Sequence, residues 1–183
     1  MFMKATGIIR RIDNLGRLVI PKEIRKVLKI KESDPMEIFV GSDGEIVLKK
    51  YSPMADMSVF AQQYVEAVSQ SLGLPVVITD RDTVIAVAGM PKKDILGSEL
   101  HRELENVIDS RRSVATRKGE KGFARITEDG MDIDGEVIQP IIAEGDAIGA
   151  VVVIAKDPAG RIGDIEKKAA VIAASFLGKQ MEV

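Results

Sequence analysis

The chain has 183 residues, with 26 Lys and Arg against 28 Asp and Glu for a net charge of −2, and 45% of its residues are hydrophobic. That is a globular composition, long enough for one or two domains. It contains no cysteine and a single histidine, which excludes disulfides, thiol nucleophiles and zinc–thiolate sites and suits a reducing compartment. The first thirty-one residues hold nine Lys and Arg against only Asp13 and Glu23, a local +7 that leaves −9 for the remainder. Positive charge gathered at one end suits a polyanionic partner.

Within that basic end, residues around Gly7-Ile8 read as a strand, and Asp13-Asn14-Leu15-Gly16 as a loop whose Gly16 takes a positive φ. Arg17 then leads into a second strand, Leu18-Val19-Ile20. Pro21 opens a short helix, because its missing N–H is not needed in the first turn and its φ is already helical. At about 100° per residue, Ile24, Val27 and Leu28 share an apolar face, while Lys22, Arg25, Lys26 and Lys29 crowd the opposite arc. Arg10 and Arg11 are adjacent, so the two-residue period of a strand sends them to opposite faces unless the strand ends or bulges there. Met36–Val40 and Glu45–Leu48 flank Gly41-Ser42-Asp43-Gly44 as a hairpin. Ser52-Pro53 then supplies a cap and a helix-opening proline, so the first domain is expected to span residues 1–51 and the second 52–183.

The order strand, Gly-Arg loop, strand, Ile-Pro, basic helix, hairpin closes on Leu48-Lys49-Lys50-Tyr51. It resembles the AbrB-type DNA-binding domain of bacterial transition-state regulators. The resemblance implies a swapped-hairpin β-barrel formed by two interleaved chains that grips double-stranded DNA. The positions matching the family's DNA contacts are Arg10, Arg11, Arg17, Arg25 and Lys26, with Lys22 and Lys29 carried over less directly. A related group with the same small barrel serves as antitoxins and usually continues into a disordered toxin-binding tail, which this chain does not have. Elementary physics also favours a dimer, since a module of roughly 50 residues buries only about 60% of its unfolded surface and is marginal alone.

Beyond residue 51 the composition turns apolar and acidic. Phe60, Ala61, Tyr64, Val68 and Leu72 recur at helical spacing, ended by Gly73 and Pro75. Val76–Thr79 and Val84–Gly89 form a second hairpin about Asp80-Arg81-Asp82. A helix is expected over 98–111, capped by Ser98 and facing inward through Leu100, Leu104, Val107 and Ile108. Residues 112–130 are polar and read as a loop over the sheet. Two long strands follow, over 136–143 and 147–155, and the final helix, over 163–181, would turn Ile165, Ala169, Ile172, Ala173, Phe176 and Leu177 inward. Helices alternating with hairpins give an α+β layer arrangement with an antiparallel sheet.

Residues 140–151, Pro-Ile-Ile-Ala-Glu-Gly-Asp-Ala-Ile-Gly-Ala-Val, resemble the closing hairpin of a GAF domain, a family of small sensory modules. An AbrB-type module followed by a GAF-like one is similar to the stage V sporulation protein T-like regulators. That similarity implies control of sporulation genes by a homotetramer, with GAF-like domains pairing through the helices at 54–72 and 163–181. The second domain is then an oligomerisation device or a sensor of an unidentified small molecule.

No catalytic constellation competes with this reading. His101 has no orienting partner in sequence and is expected to be a surface or partly packed side chain. Asp129, Asp132 and Asp134 do not fit a calcium loop, since aligning them puts Gly130 and Ile141 at ligand positions. No Gly-x-Gly-x-x-Gly or Walker loop occurs, so no cofactor and no enzymatic activity are expected. No apolar run reaches eighteen residues and no signal segment follows Met1, so the expected location is the cytoplasm.

Overall fold

The computed structural model describes residues 6–32, 34–158 and 162–182. The chain separates into two compact units, Met1–Tyr51 and Ser52–Val183.

In the first unit, helix α1 (Lys22–Val27) is followed by strands β1 (Met36–Val40) and β2 (Ile46–Lys50). The strands pair antiparallel from Met36↔Lys50 to Val40↔Ile46, across the expected Gly-Ser-Asp-Gly turn. The segments expected as strands before and after the Gly16 loop join no ladder among the described residues. Nor is the apolar face of α1 covered: no residue of the helix is buried, and Val27 and Leu28 are exposed. Both departures have one cause, since a single chain of this length offers no second layer for these side chains to pack on.

The second unit runs α2 (Pro53–Asp56), α3 (Ser58–Leu72), β3 (Val76–Thr79), β4 (Val84–Ala88), α4 (Arg102–Ser110), β5 (Val114–Arg117), β6 (Gly135–Ala143), β7 (Asp146–Ala155) and α5 (Asp164–Gln180). Its five strands form one antiparallel sheet in the order β4-β3-β7-β6-β5. Because successive strand residues face opposite ways, the sheet builds two cores. On one face Val76, Ile78, Val137 and Val151 meet Ala61 and Val65 of α3 and Ala173 and Leu177 of α5. On the other, Val77, Ile138, Val152 and Ile154 meet Leu104 and Ile108 of α4 together with Ala124 and Ile126 of the segment before β6.

Three expectations need correction here. Helix α4 starts at Arg102, not near residue 98: His101 is its N-cap, accepting a hydrogen bond from Glu103 N at Nδ1. Ser98 lies before the helix, where its carbonyl accepts from Val84 N. Residues 112–130 are not wholly loop, because β5 pairs with β6 from Val114↔Ile138 to Arg117↔Gly135. Finally, α5 is rotated from the predicted stripe. Ala170, Ala173, Ala174, Leu177 and Gly178 are buried, while Ile165, Ile172 and Phe176 face outward. The small residues win the inner face because the helix lies against the sheet so closely that a Cβ on Gly178 would collide with the Ile142 carbonyl oxygen.

Candidate nucleic-acid interface

The loop from Asp13 to Arg17 is a built structure. Asp13 N donates to Arg17 O at 3.1 Å and Gly16 N to Asp13 O at 3.0 Å, closing a tight turn. Gly16 takes φ +76°, a region that a side chain would strain. The Asp13 carboxylate completes the turn: Oδ1 accepts from Leu15 N at 2.9 Å and Arg17 N at 2.8 Å, and Oδ2 accepts from Arg17 Nε at 2.8 Å. The backbone N–H and guanidinium of Arg17, helped by Leu15 N, hold the carboxyl below its ordinary range. The donors favour its charged form more than the slight loss of solvent disfavours it.

Helix α1 follows from Pro21, whose carbonyl accepts from Arg25 N at 3.0 Å to start the first turn. After the helix Lys29 takes φ 51°, and the chain reverses toward the hairpin. A partly buried clamp holds this reversal. Asp34 Oδ2 accepts from Lys31 N at 2.7 Å and lies 3.3 Å from Lys50 Nζ, which also donates to Lys29 O at 3.2 Å. The Asp34 side chain is almost fully buried, so the end of α1 is tied to the end of β2 by a charge-assisted hydrogen-bond set.

Arg10, Arg11, Arg17, Arg25 and Lys26 are all solvent-exposed, as is Lys22, while Lys29 is half-buried. Arg17 sits on the ordered loop and Arg25 and Lys26 on α1. Arg10 and Arg11 lie before the loop on a segment that joins no ladder among the described residues, where Arg10 Nη1 donates to the neighbouring Ile9 carbonyl. The same unit exposes a large share of its apolar side chains: Ile9 is 87% accessible, Val27 80%, Val40 78% and Val19 72%. Ile8, Leu18, Ile24, Leu28 and Leu48 help line an apolar cavity of about 520 Å³ in this unit.

Residues 56–182 match the family model described as stage V sporulation protein T C-terminal, transcription factor. The chain belongs to this family. It is 49% identical over 180 residues to stage V sporulation protein T of Bacillus subtilis (strain 168), covering 98% of this chain and 99% of that protein. A second family model, described as antidote-toxin recognition MazE, bacterial antitoxin, matches residues 9–56. Over 53 residues the chain is 58% identical to the transition state regulatory protein AbrB of the same organism, a match covering 29% of this chain and 54% of AbrB. In fold, the chain is similar to the GAF domain of a phosphoenolpyruvate-protein phosphotransferase from Acinetobacter, with a TM-score of 0.58 and 14% identity over 73% of this chain and 84% of that one.

Two features of the basic unit escape a reading of residue types. Asp13 looks like an ordinary loop residue, although an Asp three positions before Gly is the pattern of a side chain that caps its own turn. The Asp34–Lys50 pair joins residues far apart in sequence and leaves no local signal.

Among the described residues of the second unit, no group of His, Asp or Glu is arranged to hold a metal. Asp132 instead pairs with Lys118 at 2.7 Å. No described helix is long and apolar enough to cross a membrane.

Proposed function

We propose that this protein is a homo-oligomeric, non-enzymatic transcription regulator of sporulation genes that binds double-stranded DNA through its first unit. Arg10, Arg11, Arg17, Arg25 and Lys26 are the contacts. The carrying observation is a coincidence on one 50-residue unit: exposed cations on a hydrogen-bonded loop and a helix, beside apolar segments that join no ladder among the described residues. A second copy supplies the missing strands and layer, giving an interleaved dimer. Fully burying a large aliphatic side chain is worth roughly 1.5–3 kcal/mol. Four such positions on each of two chains therefore give roughly 12–24 kcal/mol, against an association cost of roughly 4–15 kcal/mol.

Arginine's planar fork suits phosphate oxygens and guanine edges alike, so these residues serve both positioning and readout. The second unit acts as the oligomerisation device. Tyr64 of α3 stacks with Phe60 of the same helix and with Phe176 of α5, the Tyr64 and Phe176 centroids lying 5.2 Å apart. Beside them α5 presents Ile165 and Ile172 outward, an apolar helical surface suited to a second copy. Linking two DNA-binding dimers in this way raises the effective concentration of the second on a shared site. An antitoxin-like protein would use the rest of its chain as a tail around a toxin. Here residues 52–183 build a compact α+β unit with two cores of its own, which favours the regulator.

Fluorescence anisotropy with the full chain and a mixed-sequence duplex tests the proposal. If a dimer neutralises about eight phosphates, affinity falls by on the order of 10⁴ between 50 and 200 mM salt. A nearly flat response, or no binding at low salt, refutes it.

A further inference from the structure

Asp13 is an anion in the most cationic part of the molecule, and its turn alone does not require the charge. Oδ1 accepts both backbone N–H groups, from Leu15 and Arg17, and an asparagine oxygen in the same place would do as much. What needs a carboxylate is Oδ2, whose only partner among the described residues is Arg17 Nε at 2.8 Å. Fold stability does not explain that pair, because both side chains are substantially exposed and exposed ion pairs contribute little. For non-specific attraction to a polyphosphate the carboxylate is unfavourable, since it cancels one charge of the cluster and repels the phosphates.

We infer that Asp13 is a specificity-determining positioning residue of the DNA interface: it holds Arg17 by Nε, so that the guanidinium presents its Nη1 and Nη2 edge in a fixed direction, and it disfavours loose contact with phosphates. This rests on the DNA-binding reading above. The geometry supports each half. Arg17 is gripped at one corner of the guanidinium, and its Nη1 and Nη2 make no hydrogen bond among the described residues. Those two terminal nitrogens are five-donor arginine's end-on fork, the edge that pairs with O6 and N7 of guanine. The turn that carries Arg17 is fastened by the same carboxylate, so backbone and side chain are oriented together. Pre-orienting a long side chain removes the ordering cost at binding, which favours the matched site. The repulsive element acts on every site and is offset only where the matched contact forms.

The test uses full-length wild type, Asp13→Asn and Arg17→Ala, with two probes: a duplex selected by the wild-type protein from a randomised pool, and a mixed-sequence duplex of equal length. Asp13→Asn retains an oxygen for the turn and places an amide donor against the Nε donor, so it breaks the pair while leaving the turn. Its affinity for the mixed-sequence duplex is expected to stay level or rise several-fold. The ratio of selected to mixed affinity should fall by about 10-fold, the discrimination of one good bidentate base contact. Its salt dependence should steepen by about one phosphate equivalent per released arginine. Equal loss on both duplexes, an unchanged ratio, or a drop in melting temperature of more than a few degrees overturns the inference and makes Asp13 a turn residue only. If wild type binds neither duplex, the DNA-binding reading itself fails, and this inference with it.

Discussion

Glu136 is the most exacting test of the second unit. It lies on β6 opposite Thr116 of β5 and Ile154 of β7, and it is completely buried. Oε1 accepts from Ala124 N at 2.6 Å and from Thr116 Oγ1 at 3.4 Å, whereas Oε2 has no partner among the described residues. Burial dominates its titration and pushes the pKa up to about 7; the Ala124 and Thr116 donors oppose this, and the negative charge of Glu103 adds to it. The unfolded chain holds the same group near 4.5. Below pH 4.5 the carboxyl is protonated in both states and contributes no pH dependence. Between 4.5 and 7 the unfolded chain releases its proton while the folded one keeps it, so stability falls as pH rises. Above 7 the loss levels off. Two and a half pH units at 1.36 kcal/mol each put the full penalty at about 3 kcal/mol. Glu136→Gln removes the titration. At pH 5 the two proteins are expected to be of similar stability, because the neutral Glu136 carboxyl and the amide each place a donor where Oε2 has no partner among the described residues. At pH 8 the variant is expected to be the more stable, because it escapes the cost of the buried charge. Urea unfolding of both proteins at pH 5, 6, 7 and 8 measures the difference, in which contributions from the other titrating groups largely cancel. Stability curves that stay parallel across this range refute the reasoning, since they would mean that Glu136 ionises alike in the folded and unfolded chains.

The remaining predictions concern separate surfaces. Arg17→Ala should weaken binding to duplex DNA by at least 10-fold, read by anisotropy, yet change stability by less than about 1 kcal/mol because the Asp13 pair is exposed. Gly178→Val should destabilise the second unit by roughly 1–3 kcal/mol, seen as a lower melting temperature, because the added side chain meets the Ile142 carbonyl. Ile172→Asp, on the outer face of α5 where Ile172 is 65% exposed, should leave the fold intact and lower the oligomeric mass by light scattering; an unchanged mass would remove this face from the assembly.

In the second unit, what the sequence carried plainly was periodicity. The near-continuous apolar runs of β6 and β7, the Gly-bounded turns and the helical spacing of α3 are local signals, and the sheet forms where they predict. What it hid was decided by distant neighbours. Val114-Ala115-Thr116-Arg117 has no contrast between its faces, all four residues being half-buried, and becomes a strand only because β6 lies alongside it. On α5, size misled: Ile165, Ile172 and Phe176 have the hydrophobicity of core residues. Close approach to the sheet selects for small volume, and that can be seen only once the Ile142 carbonyl is in place. Nothing local to Glu136, at the start of an apolar strand, announces that the Ala124 backbone N–H will reach its carboxylate.

The first unit shows a different limit. Its basic residues, its Gly16 turn and the Pro21 start of α1 are all legible, because each depends on the chemistry of one or two neighbours. The strands expected around Ile8 and over Leu18–Ile20 are apolar enough to be strands, yet the hydrogen-bonding ladder is absent among the described residues. In the proposed dimer, a pattern that specifies strands but forms no ladder among the described residues of one chain is completed by the second copy. The exposure of Ile9, Val19, Val27 and Val40 points the same way. So the mismatch between the strands expected and the ladders formed is not a failure of the pattern. In the proposed dimer it marks where packing within one chain gives way to packing against the second copy, next to the cations on which the proposed grip on DNA depends.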